Sequence, residues 1–320
     1  MSQTFEEPRR HFITGGCGFI GSHLVDRLRS AGQQVTVYDN VSSGKRRWIE
    51  GHVDEDGFLF VEADLLDREA LACAMAGHDV VWHLGANTDI PGGSARTDLD
   101  LQNCTIATHN VLEAMRATEI DTLVFASSAA VYGDVPLQPL KETYAPLIPI
   151  SLYGAAKLAC EALISAYNHL FGINANVFRF ANVVGGRMGH GVTYDFLGKL
   201  KRDPQNLEIL GDGRQEKSYF LVEDCIEGML CALGNGRRGF EVYNLGSETS
   251  TNVERIADIV AAEMGLNGVR RTYTGGPRGW PGDAPFVLLD TAKARSLGWR
   301  ARHDSDAAIR IATRRLLEQT

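Results

Sequence analysis

The sequence predicts an α/β protein built on a doubly wound parallel sheet, and three observations predict it. An apolar strand end at Phe12-Ile13 runs into the glycines Gly15, Gly16, Gly18 and Gly21, and the amphipathic stretch Ser22 to Ser30 follows. Strand-like and helix-like patterns then alternate as far as residue 170. A Tyr-x-x-x-Lys pair, Tyr153 and Lys157, stands at the start of a long helical pattern just after one of these strands and a proline-punctuated loop.

The first segment is strand, glycine turn, helix, the setting that makes a glycine run a dinucleotide-binding fingerprint. The early glycines let the backbone turn tightly and approach a pyrophosphate. The last lets the helix pack close, and the helix N-terminus offers free N–H groups to phosphate. Gln34 to Tyr38 (QVTVY) is β-branched and reads as the second strand, ending at Asp39-Asn40. An acidic residue about 20 positions past the turn suits the hydroxyls of an adenosine ribose and repels a phosphate there, so NAD is expected rather than NADP. The loop Ser42-Ser43-Gly44-Lys45 follows, with Lys45 the one residue that leans the other way.

Phe58 to Ala63 reads as a third strand, with Asp64-Leu65 at its end where adenine would lie. Leu66 to Met75 reads as a helix and Asp79 to Leu84 as the next strand, closed by the small residues Gly85-Ala86. His83, at that strand's end, reads as a packed, hydrogen-bonded histidine rather than a catalytic one. A long helical pattern covers Asp98 to Ala117, and Thr122 to Ala126 is a buried strand leading into Ser127-Ser128-Ala129-Ala130-Val131-Tyr132-Gly133. Tyr153 and Lys157 share one helical face. A lysine ammonium, together with a bound nicotinamide cation, stabilises a tyrosinate and lowers the tyrosine pKa toward working pH.

Composition bounds the partners. The net charge of −8 carries no basic stripe, which sets nucleic acid aside. Six scattered cysteines without a Cys-x-x-Cys pair lead to no expected metal. A polar N-terminus and no membrane-length apolar run lead to the expectation of a cytoplasmic enzyme or binding protein.

The stretches TGGCGFIGSHLVDRL, VYDN, ADL, HLGA, FASSAAVYG, SLYGAAK, RFANVVG, GDGRQEKSYFLVEDC and RGWPGD, in that order, resemble the nucleotide-sugar epimerases of the extended short-chain dehydrogenase/reductase family. The resemblance runs from about Phe12 to Trp299. It implies a Rossmann domain over residues 10–180, with about 215–250 returning to it, and a smaller, discontinuous nucleotide-sugar lobe mainly over 181–320. It also implies that Gly15, Gly18, Phe19, Ile20 and Gly21 hold the pyrophosphate and that Asp39 and Asn40 hold the ribose. Ser42, Ser43 and Gly44 would border the cofactor, Asp64 and Leu65 would flank adenine, and Leu84, Ala86 and Asn103 would line the cofactor path. Tyr153 and Lys157 would hold the nicotinamide ribose.

The catalytic set implied is Ser128, Tyr153 and Lys157, with Ser127 the neighbouring alternative for the hydroxyl. Dehydratases and decarboxylases of the family carry an acidic residue just after this serine or threonine; here Ala129 and Ala130 stand there, which favours simple oxidation and re-reduction at one carbon. For the substrate, the resemblance points to Asn182 and Arg278 at the diphosphate. Lys217 stands where many relatives have an arginine and gives a point charge in place of a fork. Arg187 is a further candidate. Val287 falls at a pocket-gating position where a small side chain would admit an N-acetyl group, or it is simply a strand residue facing the core. The implied activity is NAD-dependent inversion of C4 in UDP-glucose and UDP-galactose. UDP-GlcNAc or UDP-glucuronate epimerisation and a net NAD-dependent oxidoreductase are the enzymatic alternatives, and an NAD-sensing binding protein is the alternative of another class. The family is expected to work as a homodimer.

Overall fold

The computed structural model describes residues 9–93, 95–136 and 138–319. Seven strands form one parallel sheet: β1 (Arg10–Thr14), β2 (Gln34–Asp39), β3 (Phe58–Glu62), β4 (Val80–His83), β5 (Thr122–Ser128), β6 (Asn174–Phe180) and β7 (Phe240–Leu245). Their order is β7-β6-β5-β4-β1-β2-β3. The order in which strands are added therefore reverses between β1 and β4, the point outside whose carboxyl ends such sheets bind ligands. Four residues of β1, His11 to Thr14, are buried, as a strand covered on both faces requires.

Helix α1 (Phe19–Ser30) buries Leu24, Val25 and Leu28 on one face of the sheet. Helices α2 (Arg68–Met75), α3 (Ala107–Ala117) and α4 (Leu152–Phe171) bury Leu71, Met75, Val111, Met115, Cys160 and Ile164 on the other. The Ser151 side chain caps α4 by accepting from the Gly154 N–H at 3.1 Å, and Gly172, at φ +75°, ends it in the left-handed conformation. The expected helix over 98–117 is not uniform. Leu101–Ile106 is wound as a π-helix before α3 begins, a register irregularity that is common at functional sites and that no hydrophobic period reveals.

Beyond β6 the chain builds a second core. Helices α5 (Val192–Arg202), α7 (Val253–Glu263) and α8 (Ser305–Glu318) pack with the strands Asn206–Ile209 and Tyr219–Leu221. Between them α6 (Val222–Gly234) and β7 go back to the large sheet, α6 against α1 and β7 beside β6. The chain returns once more than the sequence suggests. Leu289, Ala294 and Trp299 join the large-sheet core, with the Trp299 indole N–H donating to the Asp224 carbonyl at 2.9 Å. Among the described residues no helix is long and apolar enough to cross a membrane.

Candidate active site

The glycine turn sits at the switch point. Gly15, at φ +71°, lies so close to the end of β4 that a Cβ would come within 2.7 Å of the Gly85 nitrogen. A Cβ on Gly21 would come within 2.1 Å of the Gly15 carbonyl oxygen. Gly18 is the N-cap of α1 and has no side chain to close it, so the first N–H groups of the helix face the turn. The helix starts at Phe19, three residues before the expected Ser22, because Gly21 packs inside its first turn. Phe19 meets His23 edge-on, and Ile20 is half-buried beside it.

Asp39 ends β2 beside this turn. Its two oxygens accept from the backbone N–H groups of Cys17, at 2.9 Å, and Val41, at 2.8 Å. Burial pushes its pKa up and these two bonds pull it down; the net shift is upward. Asp39 thus braces the glycine turn itself, a job the sequence did not suggest. Asn40 donates to Asp64 at 2.8 Å and accepts from the Ser42 N–H at 3.1 Å, tying together the ends of β2 and β3. Ser43 lies exposed in the same loop, and Gly44 packs so tightly on Cys17 that a Cβ would come within 2.7 Å of its carbonyl carbon. The Leu65 carbonyl accepts from Asn110 at 3.0 Å, and the Leu65 side chain covers Gly85. Leu84 and Ala86 flank Gly85 and are half-buried, and Asn103, also half-buried, lies in the π-helical segment.

Across the switch point stands the hydroxyl and amine set. Lys157 is 2% exposed and donates from Nζ to the Ala126 carbonyl at 2.7 Å, which pins α4 to β5. Its Nζ lies 5.8 Å from the centre of the Tyr153 ring. Burial opposes its charge, but Cys104, Tyr153, Cys160 and Asp100 outweigh it, so its pKa stands above the ordinary lysine value. Tyr153 is raised above the ordinary phenol value by burial, with Lys157 and a hydrogen bond to Ser128 pulling it down. In the chain alone the lysine does not win, so the expected lowering needs a second cation. Ser128 accepts from the Ala130 N–H at 3.2 Å and stays half-buried, facing Tyr153.

Ser127 is committed elsewhere. Its hydroxyl donates to Glu161 at 2.5 Å, and Glu161 forms a bidentate pair with Arg179 at 3.0 and 2.7 Å, all three side chains being buried. Ser127, the neighbouring candidate, thus spends its hydroxyl on a buried ion pair. His83 is held at both ring nitrogens, by Thr14 at 2.8 Å and Thr108 at 3.0 Å, and burial first and Lys157 second push its pKa down to about 3. It is the packed, neutral histidine the sequence suggests.

Of the substrate candidates, four come together and one does not. Asn182 donates from Nδ2 to the Ser218 carbonyl at 3.1 Å, next to Lys217. Lys217 pairs in register with Val287 and is ion-paired to the buried Asp283. Arg278 donates to the Asp283 carbonyl at 2.6 Å and is ion-paired to Asp134, in the loop after β5. Gly282 lies against Ile150 and Ser151, so this whole segment sits at the start of α4, one turn from Tyr153. Arg187 points elsewhere. It pairs with Asp26 of α1 at 2.7 Å and lies 5.5 Å from the Trp48 ring. Its residue adopts φ +65°, which turns the side chain toward α1 in a way that no sequence spacing announces. Leu207 and Ile209, in the strand Asn206–Ile209, are buried in the second core. Two groups escaped the sequence reading. Among the described residues, Asp100 is buried with one carboxylate oxygen unpartnered, and the Trp280 indole N–H is buried without a partner beside Lys217. Asp100 lies outside the quoted motifs, and Trp280 lies within RGWPGD, where the reading fell on Arg278.

The NAD dependent epimerase/dehydratase family matches residues 11–246. The chain belongs to this family. A UDP-glucose 4-epimerase of Azospirillum brasilense is 31% identical over 343 residues, covering 99% of this chain and 95% of its own. A crystal structure of a UDP-galactose 4-epimerase is 38% identical, covers 97% of this chain and 99% of its own, and superposes with a TM-score of 0.86. A UDP-N-acetylglucosamine 4-epimerase from Methanobrevibacter ruminantium M1 is 26% identical, covers 98% and 100%, and gives a TM-score of 0.88. The epimerase/dehydratase chain uses NAD, and similar chains have been solved with it bound. The residues present fit it: a turn wound so tightly that a Cβ at Gly15 or Gly21 would strike neighbouring backbone, an uncapped helix N-terminus that could take the pyrophosphate, and a carboxylate at Asp39 beside it.

Proposed function

We propose that the chain interconverts UDP-glucose and UDP-galactose by inverting C4. The observation that carries this is the company Tyr153 keeps: Lys157 and Ser128 lie beside it, while Ala129 and Ala130 follow Ser128 where an eliminating relative needs an acid. NAD, when bound, accepts hydride and returns it. Tyr153 takes the proton from the C4 hydroxyl, and Ser128 donates a hydrogen bond to that oxygen as charge develops on it. Lys157 holds the phenolate by its charge and is itself fixed by the Ala126 carbonyl. Asn182 and Arg278 hold the diphosphate, with Lys217 aligned by Asp283, so that the sugar can turn over and present either face. The same groups would serve a C4 hydroxyl on an N-acetylated sugar, and the side chain of Val287, beside Lys217, is the feature that favours this second reading.

A panel of UDP- and dTDP-sugars incubated with the protein and read by NMR tests the proposal. C4 inversion of UDP-glucose is the expected result, and absence of C4 inversion in every sugar overturns it. Val287→Tyr should lower the rate on UDP-GlcNAc and spare that on UDP-glucose; equal loss on both removes Val287 as a gate.

The homodimer is proposed on the same footing. Leu101, Ile106, Leu152, Leu170 and Phe171 are exposed on the π-helical segment and α4, along with Ala155, Ala162 and Ala166. A two-fold pairing of these helices would cover that apolar face.

A further inference from the structure

Two sulfurs meet beneath the Tyr153–Lys157 pair. Cys104 Sγ and Cys160 Sγ lie 3.5 Å apart, both cysteines buried. Cys104 directly follows Asn103 in the π-helical segment, and Cys160 is three residues past Lys157 on α4. The Thr108 hydroxyl donates to the Cys160 sulfur at 3.2 Å. Neither thiol has work in the epimerisation.

We propose that Cys104 and Cys160 are a redox site, closed to a disulfide by a peroxide and reopened by a dithiol, and that closure stops turnover. The two thiols are unequal. The hydrogen bond from Cys160 and then the charge of Lys157 draw Cys104 below the ordinary thiol value, while the bond with Cys104 and burial push Cys160 above it. The partner that ionises first is therefore Cys104, and it is the nucleophile. Its thiolate attacks one oxygen of hydrogen peroxide; the O–O bond breaks, hydroxide leaves, and Cys104 becomes a sulfenic acid. Hydroxide takes up the proton Cys104 had released and becomes water. The Cys160 sulfur then attacks the Cys104 sulfur; the S–O bond breaks, and the hydroxyl leaves as water with the Cys160 proton. Two thiols are oxidised by two electrons, and one peroxide is reduced to two waters.

Closing the bond brings the sulfurs from 3.5 Å to about 2.05 Å. That movement falls on the elements carrying Asn103 and Lys157. A displacement on the order of 1 Å at such a place is enough to cost about a hundredfold in rate. Because both sulfurs are buried, the oxidant must be small and the reaction waits on local opening of the π-helical segment. Among the other cysteines, Cys17 and Cys225 are buried with thiols raised by burial, and no sulfur contact joins Cys73 or Cys231 to another cysteine among the described residues.

The test treats the NAD-loaded protein with hydrogen peroxide, alkylates it under denaturing conditions and maps the peptides by mass. The expected result is a peptide pair linked through Cys104 and Cys160, lost on treatment with dithiothreitol. Cys160→Ala should give no linked pair and instead an oxygen adduct on the Cys104 peptide. Full alkylation of both cysteines after peroxide treatment, or a linked pair involving other cysteines only, overturns the site. The effect on turnover rests on the epimerase reading, whereas the linked peptide is read with no substrate, so the two fail separately. Activity should fall with the appearance of the linked pair and return with dithiothreitol. Unchanged activity in fully linked protein overturns the coupling to turnover.

Discussion

At the scale of the residue, the site is a contest between burial and neighbouring charge. Burial holds the Tyr153 phenol above its ordinary value, and Lys157 is the largest influence pulling it down. In the proposed mechanism the phenolate is the working base, so activity should rise with pH until Tyr153 has ionised. Lys157→Met removes the downward pull and should move the acidic limb of the kcat/KM profile to higher pH, beyond a fall in rate of about 10²–10⁴. A limb that stays in place in Lys157→Met assigns that ionisation to another group. The two buried histidines act on stability in the same direction as a carboxylate held below its ordinary value: both lose stability as the pH falls. His83 is pushed down to about 3 and His11 to about 4, in each case chiefly by burial. Both remain neutral in the fold but take up a proton in the unfolded chain below about pH 6.5. Their contribution is therefore complete above that pH and falls as the pH drops toward 4, at about 1.4 kcal/mol per unit for each fully titrating group. Urea melts at pH 7 and pH 5 should show the loss, and His83→Gln should reduce it.

At the scale of the element, the strand–turn–helix unit at the N-terminus was legible because three constraints coincide in a few residues. Gly15 must take a positive φ, Gly21 must let the helix approach the turn, and Leu24, Val25 and Leu28 must face the sheet. Gly21→Ala puts a methyl 2.1 Å from the Gly15 carbonyl oxygen and should force α1 away from the turn. The variant is expected to fold and to purify with much less NAD, measured on the released nucleotide; a full complement would show that the close packing of α1 is not needed to hold it. The π-helical turn at Leu101–Ile106 was not legible, since its apolar residues fit an ordinary helix equally well. The inward turn of Arg187 was hidden for a related reason. Its partners Asp26 and Trp48 are distant in sequence, and only the packing of α1 against the loop after β7's neighbour β6 brings them within reach.

At the scale of the whole molecule, the two cores share one chain that crosses between them several times. Residues 240–245 complete the sheet and residues 289–299 cover it, while α5, α7 and α8 form the second core. The substrate candidates sit where the crossings meet, which is why Asn182, Lys217, Arg278 and Val287 gather from segments up to 105 residues apart. Sedimentation should give about twice the 35.0 kDa of one chain. Ala162→Glu, on the exposed face of α4, should lower this toward the single chain, whereas an unchanged mass would place the interface elsewhere.

By itself the sequence determined the class of fold, the dinucleotide turn, and the Tyr153–Lys157 pair. Each is written in local order, where a few neighbouring residues satisfy one backbone or charge requirement. The resemblance already favoured Ser128 over Ser127, and only the tertiary structure showed what holds Ser127: Glu161 and Arg179, 34 and 52 residues away, take up its hydroxyl, while Ser128 faces Tyr153. The tertiary structure also turned Arg187 toward α1, set Asp39 to bracing the glycine turn, and brought Cys104 against Cys160. Those outcomes depend on which side chains share a buried volume, and a buried polar group takes the partner that satisfies it wherever that partner lies in the chain.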